Sequence, residues 1–183
     1  MKQSLRSLLP AVLATFVIFG CKPKAADQPL TPADEATAMQ EADVFGTIEI
    51  PNIERIYVSP LEEIGKHKLT VIDFWASWCG PCRRVMPYVK QLYEQYQPQG
   101  LGIIGISLDE DEHAWKQAID EMELPWMQLS ELQGWDNTYV HLYNIDHIPY
   151  TILVDQQGKV IAAGMNIGEV YEYVSAYFGS EEK

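Results

Sequence analysis

The stretch Phe74–Pro87 reads FWASWCGPCRRVMP, with Cys79 and Cys82 three positions apart. Upstream, LTVIDFWAS (69–77) is apolar, β-branched and aromatic, the pattern of a strand buried on both faces. Downstream, Gly80 to Tyr96 shows helical periodicity, with Pro87 predicted to kink the helix. A strand that feeds a helix in this way puts Cys79 at the helix N-terminus, where unpaired N–H groups and the helix dipole favour an anion. Gly80 lets the backbone pass closely, and Pro81 is tolerated in the first turn because its missing N–H has no helical partner. Cys82 falls on the same helical face, one turn deeper.

A thiol attacks a disulfide only as its thiolate, so this placement suits redox chemistry. Cys79, nearer solvent, is predicted to attack a substrate disulfide and Cys82 to resolve the mixed disulfide. Asp73, six residues before Cys79 and flanked by Val71, Ile72, Phe74 and Trp75, is predicted to lie buried beneath the site. There, desolvation would raise its carboxyl towards the range of a general base for Cys82. Trp75 and Trp78 are placed to shape a substrate groove. A zinc clip needs four ligands. His67, His113, His141 and His147 form no ligand pair beside the two cysteines, so neither a metal nor a further cofactor is expected.

Working outward, TIEI (47–50) and RIYV (55–58) read as short strands leading to a turn at Gly65. LGIIGISL (101–108) is a second buried strand, DEHAWKQAIDEM (111–122) an amphipathic helix, and WMQL (126–129) a short strand. A helix is expected over Gln133 to Leu142. YTILVD and VIAAGM then form a hairpin around Gly158, and a closing helix runs from about Gly168 to Phe178. This order predicts an α/β fold, a central mixed sheet with helices on both faces.

Residues 1–20, MKQSLRSLLPAVLATFVIFG, open with Lys2 and Arg6 and run apolar from Leu8 to Phe19, as a secretory leader does. That run is too short for a permanent membrane span. IFGC (18–21) resembles the bacterial lipoprotein signal, which implies cleavage before Cys21 and its lipidation, with a free Cys21 as the alternative. Of three cysteines, this leaves Cys79 and Cys82 as a pair that would cycle through a disulfide in an oxidising compartment. Residues 21–44, rich in Pro, Ala and acids, read as a flexible tether, and the folded domain is expected over 45–183. A net charge of −13 argues against a nucleic-acid partner.

VIDFWASWCGPC, the helical Pro87 and a later Ile-Pro before a strand resemble the thioredoxin superfamily, over roughly residues 45 to 179. GISLDEDEHAWKQAI (105–119) is similar to the insert of its exported TlpA/ResA-like thiol-disulfide oxidoreductases. The resemblance implies a thioredoxin-like fold and a cis Ile148–Pro149 peptide facing the cysteines. It further implies substrate contacts at Trp78, Gly80, Pro81, Ile148 and Pro149, where the backbone before the proline can pair with a substrate strand. Val85 stands where many exported relatives carry glutamate, Asp73 matches the buried acid of classical thioredoxins, and Tyr150 replaces their usual threonine.

Gly80-Pro81 is the dipeptide of a reductant, and the resemblance implies reduction of exported disulfide proteins, for example apocytochrome c. Electrons would come from a membrane thiol donor. It also implies a place on the periplasmic side of a bacterial cell envelope, lipid-anchored, with Lys22 favouring the outer membrane. A disulfide-forming oxidase, a thiol peroxidase using Arg83 or Arg84, and a redox-inactive binding module remain open alternatives.

Overall fold

The computed structural model describes residues 44–181; the leader, Cys21 and nearly all of the tether lie outside the described residues. Its elements, in chain order, are α1 (Val44–Thr47), β1 (Ile50–Pro51), β2 (Tyr57–Val58), α2 (Pro60–Ile64), β3 (Leu69–Trp75), α3 (Gly80–Tyr96), β4 (Leu101–Ser107), α4 (Glu112–Met122), β5 (Met127–Leu129), α5 (Thr138–Leu142), β6 (Tyr150–Asp155), β7 (Val160–Ala163) and α6 (Ile167–Glu181).

Five strands form one mixed sheet in the order β5-β4-β3-β6-β7. β3 pairs in parallel with β4 and antiparallel with β6, β4 pairs in parallel with β5, and β6 and β7 form the expected hairpin. β3 and β4 are buried along their whole length, which accounts for their unbroken apolar sequences. Successive right-handed crossovers in one direction, β3-α3-β4 and β4-α4-β5, put α3 and α4 on the same face. Contacts agree: Arg83 of α3 meets Glu121 of α4 at 2.9 Å, and the Tyr93 ring packs edge-on against Trp126 at 5.4 Å. α6 joins them through Tyr96, whose ring stacks on Phe178 at 5.6 Å. On the opposite face Phe45 stacks on Tyr139 and Tyr143 at 5.4 and 5.5 Å, tying α1 to α5.

α3 buries Cys82, Met86, Val89, Leu92 and Tyr96, positions spaced three or four apart that make one apolar stripe. The helix continues through Pro87 without interruption.

Three local expectations are corrected. TIEI is not a strand throughout: Thr47 ends α1, and only Ile50–Pro51 pair with Tyr57–Val58. Gly65 is not a free-standing turn but ends α2, a helix whose first residue is a proline, a position helices accept. The helix expected over Gln133 to Leu142 is broken into a single 3₁₀ turn at Gly134–Asp136 and α5. The break falls at Asn137, whose Oδ1 accepts from the N–H groups of Tyr139 and Val140 and caps α5.

Candidate active site

β3 ends at Trp75 and α3 begins at Gly80, so four residues, Ala76 to Cys79, make the turn that carries the chemistry. Ala76 O accepts from Cys79 N–H at 3.1 Å and closes it. Cys79 caps α3, and its Sγ accepts from Cys82 N–H at 3.1 Å, the role an N-cap oxygen normally fills. A sulfur so placed already sits where backbone donors favour its ionised form.

Cys79 and Cys82 are joined in a disulfide, S–S 2.01 Å, with their Cα atoms 5.3 Å apart. Both are buried in this oxidised state, at 4 % and 1 % exposure. Across from them, the Ile148–Pro149 peptide is cis, and Ile148 O lies 3.9 Å from Cys79 Sγ. Trp78 is 56 % exposed beside the disulfide. Gly80 and Pro81 are exposed too. A Cβ at Gly80 would come no nearer than 3.5 Å to Arg84 Nη1, so the chain's own packing does not require glycine there. Tyr150 is half-buried, its ring edge-on to Phe74 and to His147, whose Nδ1 lies 2.6 Å from Asp146 Oδ1.

Asp73 lies in β3, paired with Gly105 on one side and Thr151 on the other. It is 6 % exposed, and burial pushes its carboxyl up to about 7. The face it occupies is that of α3. Trp126 contacts Tyr93 of α3, Gln128 two residues on shares its face, and Gln128 pairs with Gly105, the partner of Asp73. A buried carboxyl pushed up to about 7 thus shares the sheet face on which α3, the helix of Cys82, packs.

Asp109 was absent from the sequence-based site and proves to be built into it. Fully buried just beyond β4, its carboxylate accepts from Ser77 N–H at 2.9 Å, Ser77 Oγ at 2.5 Å and Ser107 Oγ at 2.7 Å. Leu108 N–H also bonds to Trp75 O, so the end of β4 holds the turn that presents Trp78 and Cys79. The available signal is an acid directly after a continuous buried strand, hidden among the acids of DEDE (109–112), of which the last two open the expected helix. Among the described residues, no group of three or more His, Cys, Asp or Glu side chains is arranged to hold a metal ion.

These parts suffice for thiol-disulfide exchange: a capped sulfur, a second sulfur within bonding reach, a buried carboxyl on the sheet face that α3 covers and an open peptide edge. Comparison with known proteins points the same way. A family model described as thioredoxin-like matches residues 66–160. The chain is 32 % identical over 96 residues to thiol-disulfide oxidoreductase ResA of Bacillus thuringiensis subsp. konkukian, covering 52 % of this chain and 54 % of the relative. The ResA of Oceanobacillus iheyensis is 33 % identical over 105 residues, 57 % of this chain and 51 % of that one. The matched segment therefore spans about half the length of these curated relatives. Among solved structures, the thioredoxin domain of a thiol-disulfide oxidoreductase from Bacteroides vulgatus superposes with a TM-score of 0.64 at 30 % identity, over 72 % of this chain and 92 % of that one. A thiol-disulfide oxidoreductase from Bacteroides fragilis gives a TM-score of 0.62 at 29 % identity, over 69 % and 96 %.

Proposed function

The chain belongs to the thioredoxin-like family, and from that membership we propose that it is a thiol-disulfide oxidoreductase that reduces disulfides of exported proteins through Cys79 and Cys82. The observation that carries this reading is the disulfide between a helix-capping cysteine and a cysteine one turn deeper, over a buried carboxyl.

In the reduced enzyme the Cys79 thiolate attacks one sulfur of the substrate disulfide. The substrate S–S bond breaks, a mixed disulfide forms, and the first substrate thiolate leaves and takes a proton from solvent. Asp73 then accepts the proton of Cys82. The Cys82 thiolate attacks Cys79 Sγ, the Cys79–Cys82 bond forms, and the second substrate sulfur leaves as thiolate. Two electrons pass from enzyme dithiol to substrate disulfide, and the enzyme ends in the oxidised state seen in this structure. Trp78, Gly80, Pro81, Ile148 and Pro149 line the edge against which the substrate would lie. Arg83, one of the two arginines a peroxide-reducing site could use beside Arg84, is paired with Glu121 at 2.9 Å.

Export belongs to the same proposal and rests on residues 1–44: a leader over 1–20, lipidation at Cys21 and a tether to the domain. The protein would then sit on the periplasmic side of a bacterial envelope, on the outer membrane by the hint of Lys22. It would act on disulfide-containing exported proteins such as apocytochrome c and draw electrons from a membrane thiol donor.

The test is insulin disulfide reduction with dithiothreitol as electron source, run on two variants. Cys79→Ser should abolish activity, and Cys82→Ser should accumulate a mixed disulfide visible by mass spectrometry. Catalysis that persists in Cys79→Ser would overturn the assignment.

A further inference from the structure

Gln128 belongs to the edge strand β5, yet it is only 5 % exposed. Its amide lies across the backbone of Gly105, where a Cβ would come within 2.9 Å of Nε2, so any larger residue at 105 would expel it. Strand register continues the row, from Gln128 to Gly105, from Gly105 to Asp73 and from Asp73 to Thr151. Directly paired residues project from one face of a sheet. The glycine thus leaves open the space over the β4 backbone between the Gln128 amide on the edge strand and the strand that carries Asp73.

The orientation of that amide is fixed by chemistry. Trp75 Nε1 donates to Gln128 Oε1 at 3.1 Å, and an indole N–H can only donate, so the oxygen must face Trp75. Nε2 is left as a buried donor with no hydrogen-bond partner. Buried donors are nearly always satisfied, and an ionised carboxylate is an acceptor-only group.

We propose that Gln128 is a positioning residue for the proton acceptor of the resolving step, its Nε2 donating to the Asp73 carboxylate when Asp73 ionises. This rests on the reading that Asp73 accepts the proton of Cys82. Gln128 then opposes the effect of burial: it favours the charged form and keeps the carboxylate available near neutral pH.

The surroundings leave Asp73 as the group to follow. From α3, Cys82 is held in the disulfide, Tyr93 packs edge-on against Trp126, and the Tyr96 hydroxyl is hydrogen-bonded to Ser175 Oγ at 2.8 Å. From β6, Asp155 pairs with Leu69, four residues along the strand from Asp73 and about 13 Å away at the usual rise. Asp109, beyond β4, is held by Ser77 and Ser107. The buried positions of α4 and α6 are apolar. Arg83 and Glu121 pair with each other at the surface, and Lys90 reaches Glu123 at 3.5 Å.

The experiment is an NMR titration of the oxidised full-length chain, following the Asp73 carboxyl carbon and the Gln128 side-chain amide together. The amide resonances should move with the same midpoint as the carboxyl. In Gln128→Met, which keeps the length of the side chain and removes the donor, the Asp73 midpoint should rise by about one pH unit. An amide indifferent to pH across the Asp73 transition, or a folded Gln128→Met variant whose midpoint is unchanged or lower, would overturn the proposal. If the variant does not fold, the amide of the unaltered protein decides alone. Neither reading involves turnover, so an inactive enzyme would refute the proposed function while leaving this result to stand or fall separately.

Discussion

Asp109 holds Ser77 twice, accepting its backbone N–H at 2.9 Å and its hydroxyl at 2.5 Å, two residues ahead of Cys79. The bonds join the end of β4 to the turn between β3 and α3, and both donors need the same carboxylate. Removing it leaves the half-buried Ser77 donors and the buried Ser107 hydroxyl without this acceptor, a loss that costs about 1–3 kcal/mol for a buried group and less for a half-buried one. Asp109→Ala should therefore lower stability by roughly 2–4 kcal/mol in urea unfolding and reduce insulin-reduction activity, because the cysteine turn loses its anchor. Ser77→Ala keeps the backbone bond and should cost only about 1 kcal/mol, with activity close to normal. Equal losses in the two variants would show that the hydroxyl, not the carboxylate, secures the turn.

The Asp73 carboxyl, pushed up to about 7 by burial, makes stability depend on pH. An unfolded aspartate titrates near 3.9, so between about pH 4 and 7 the folded protein binds more protons than the unfolded chain. Stability contributed by the protonated acid is then lost as pH rises through that window. Asp73→Asn, neutral throughout, should be more stable than the parent at pH 8 by on the order of 4 kcal/mol, with the gap closing towards pH 4. The same variant should resolve mixed disulfides at least about tenfold more slowly at pH 7, as expected when a general base is removed. Denaturant midpoints across pH, beside single-turnover rates, check both halves.

Trp78, 56 % exposed beside the disulfide, has little to do for the fold, and the proposed function gives it a substrate contact. Trp78→Ala should leave the unfolding midpoint within error. It should raise KM for a disulfide-bonded protein substrate roughly tenfold, the loss of a modest interface hot spot. Reduction of a small disulfide such as oxidised glutathione should barely change. A parallel loss with both substrates would assign Trp78 to the shape of the cysteine turn instead.

Much of this was legible in the sequence because the decisive signals are local. β3, β4 and α3 are long and strongly patterned, and the two cysteines, Pro81 and Asp73 take their places from that pattern alone. The parts that were not legible depend on contacts distant in sequence. Asp109 reaches back 32 residues to Ser77, and in the sequence it is one acid among four. Gln128 gains its position from Gly105 and Trp75, two strands that a linear pattern cannot lay side by side. The short elements around Gly65 and Asn137 depart from the linear pattern because a helix-initiating proline and a side-chain cap outweigh strand or helix propensity there.

The central claim, that this chain donates electrons to disulfides, is tested most directly by the reduction potential of the Cys79–Cys82 couple, equilibrated in dithiothreitol or glutathione buffers and read by thiol alkylation and mass spectrometry. Gly80-Pro81 places neither a charge nor an imidazole between the sulfurs, so no side chain of the motif adds to the helix N-terminus in stabilising the reduced thiolate. The predicted value is about −250 mV or lower, in the range of thioredoxin. A value near about −120 mV, that of a strong oxidant, would contradict the account and make the protein a disulfide-forming enzyme.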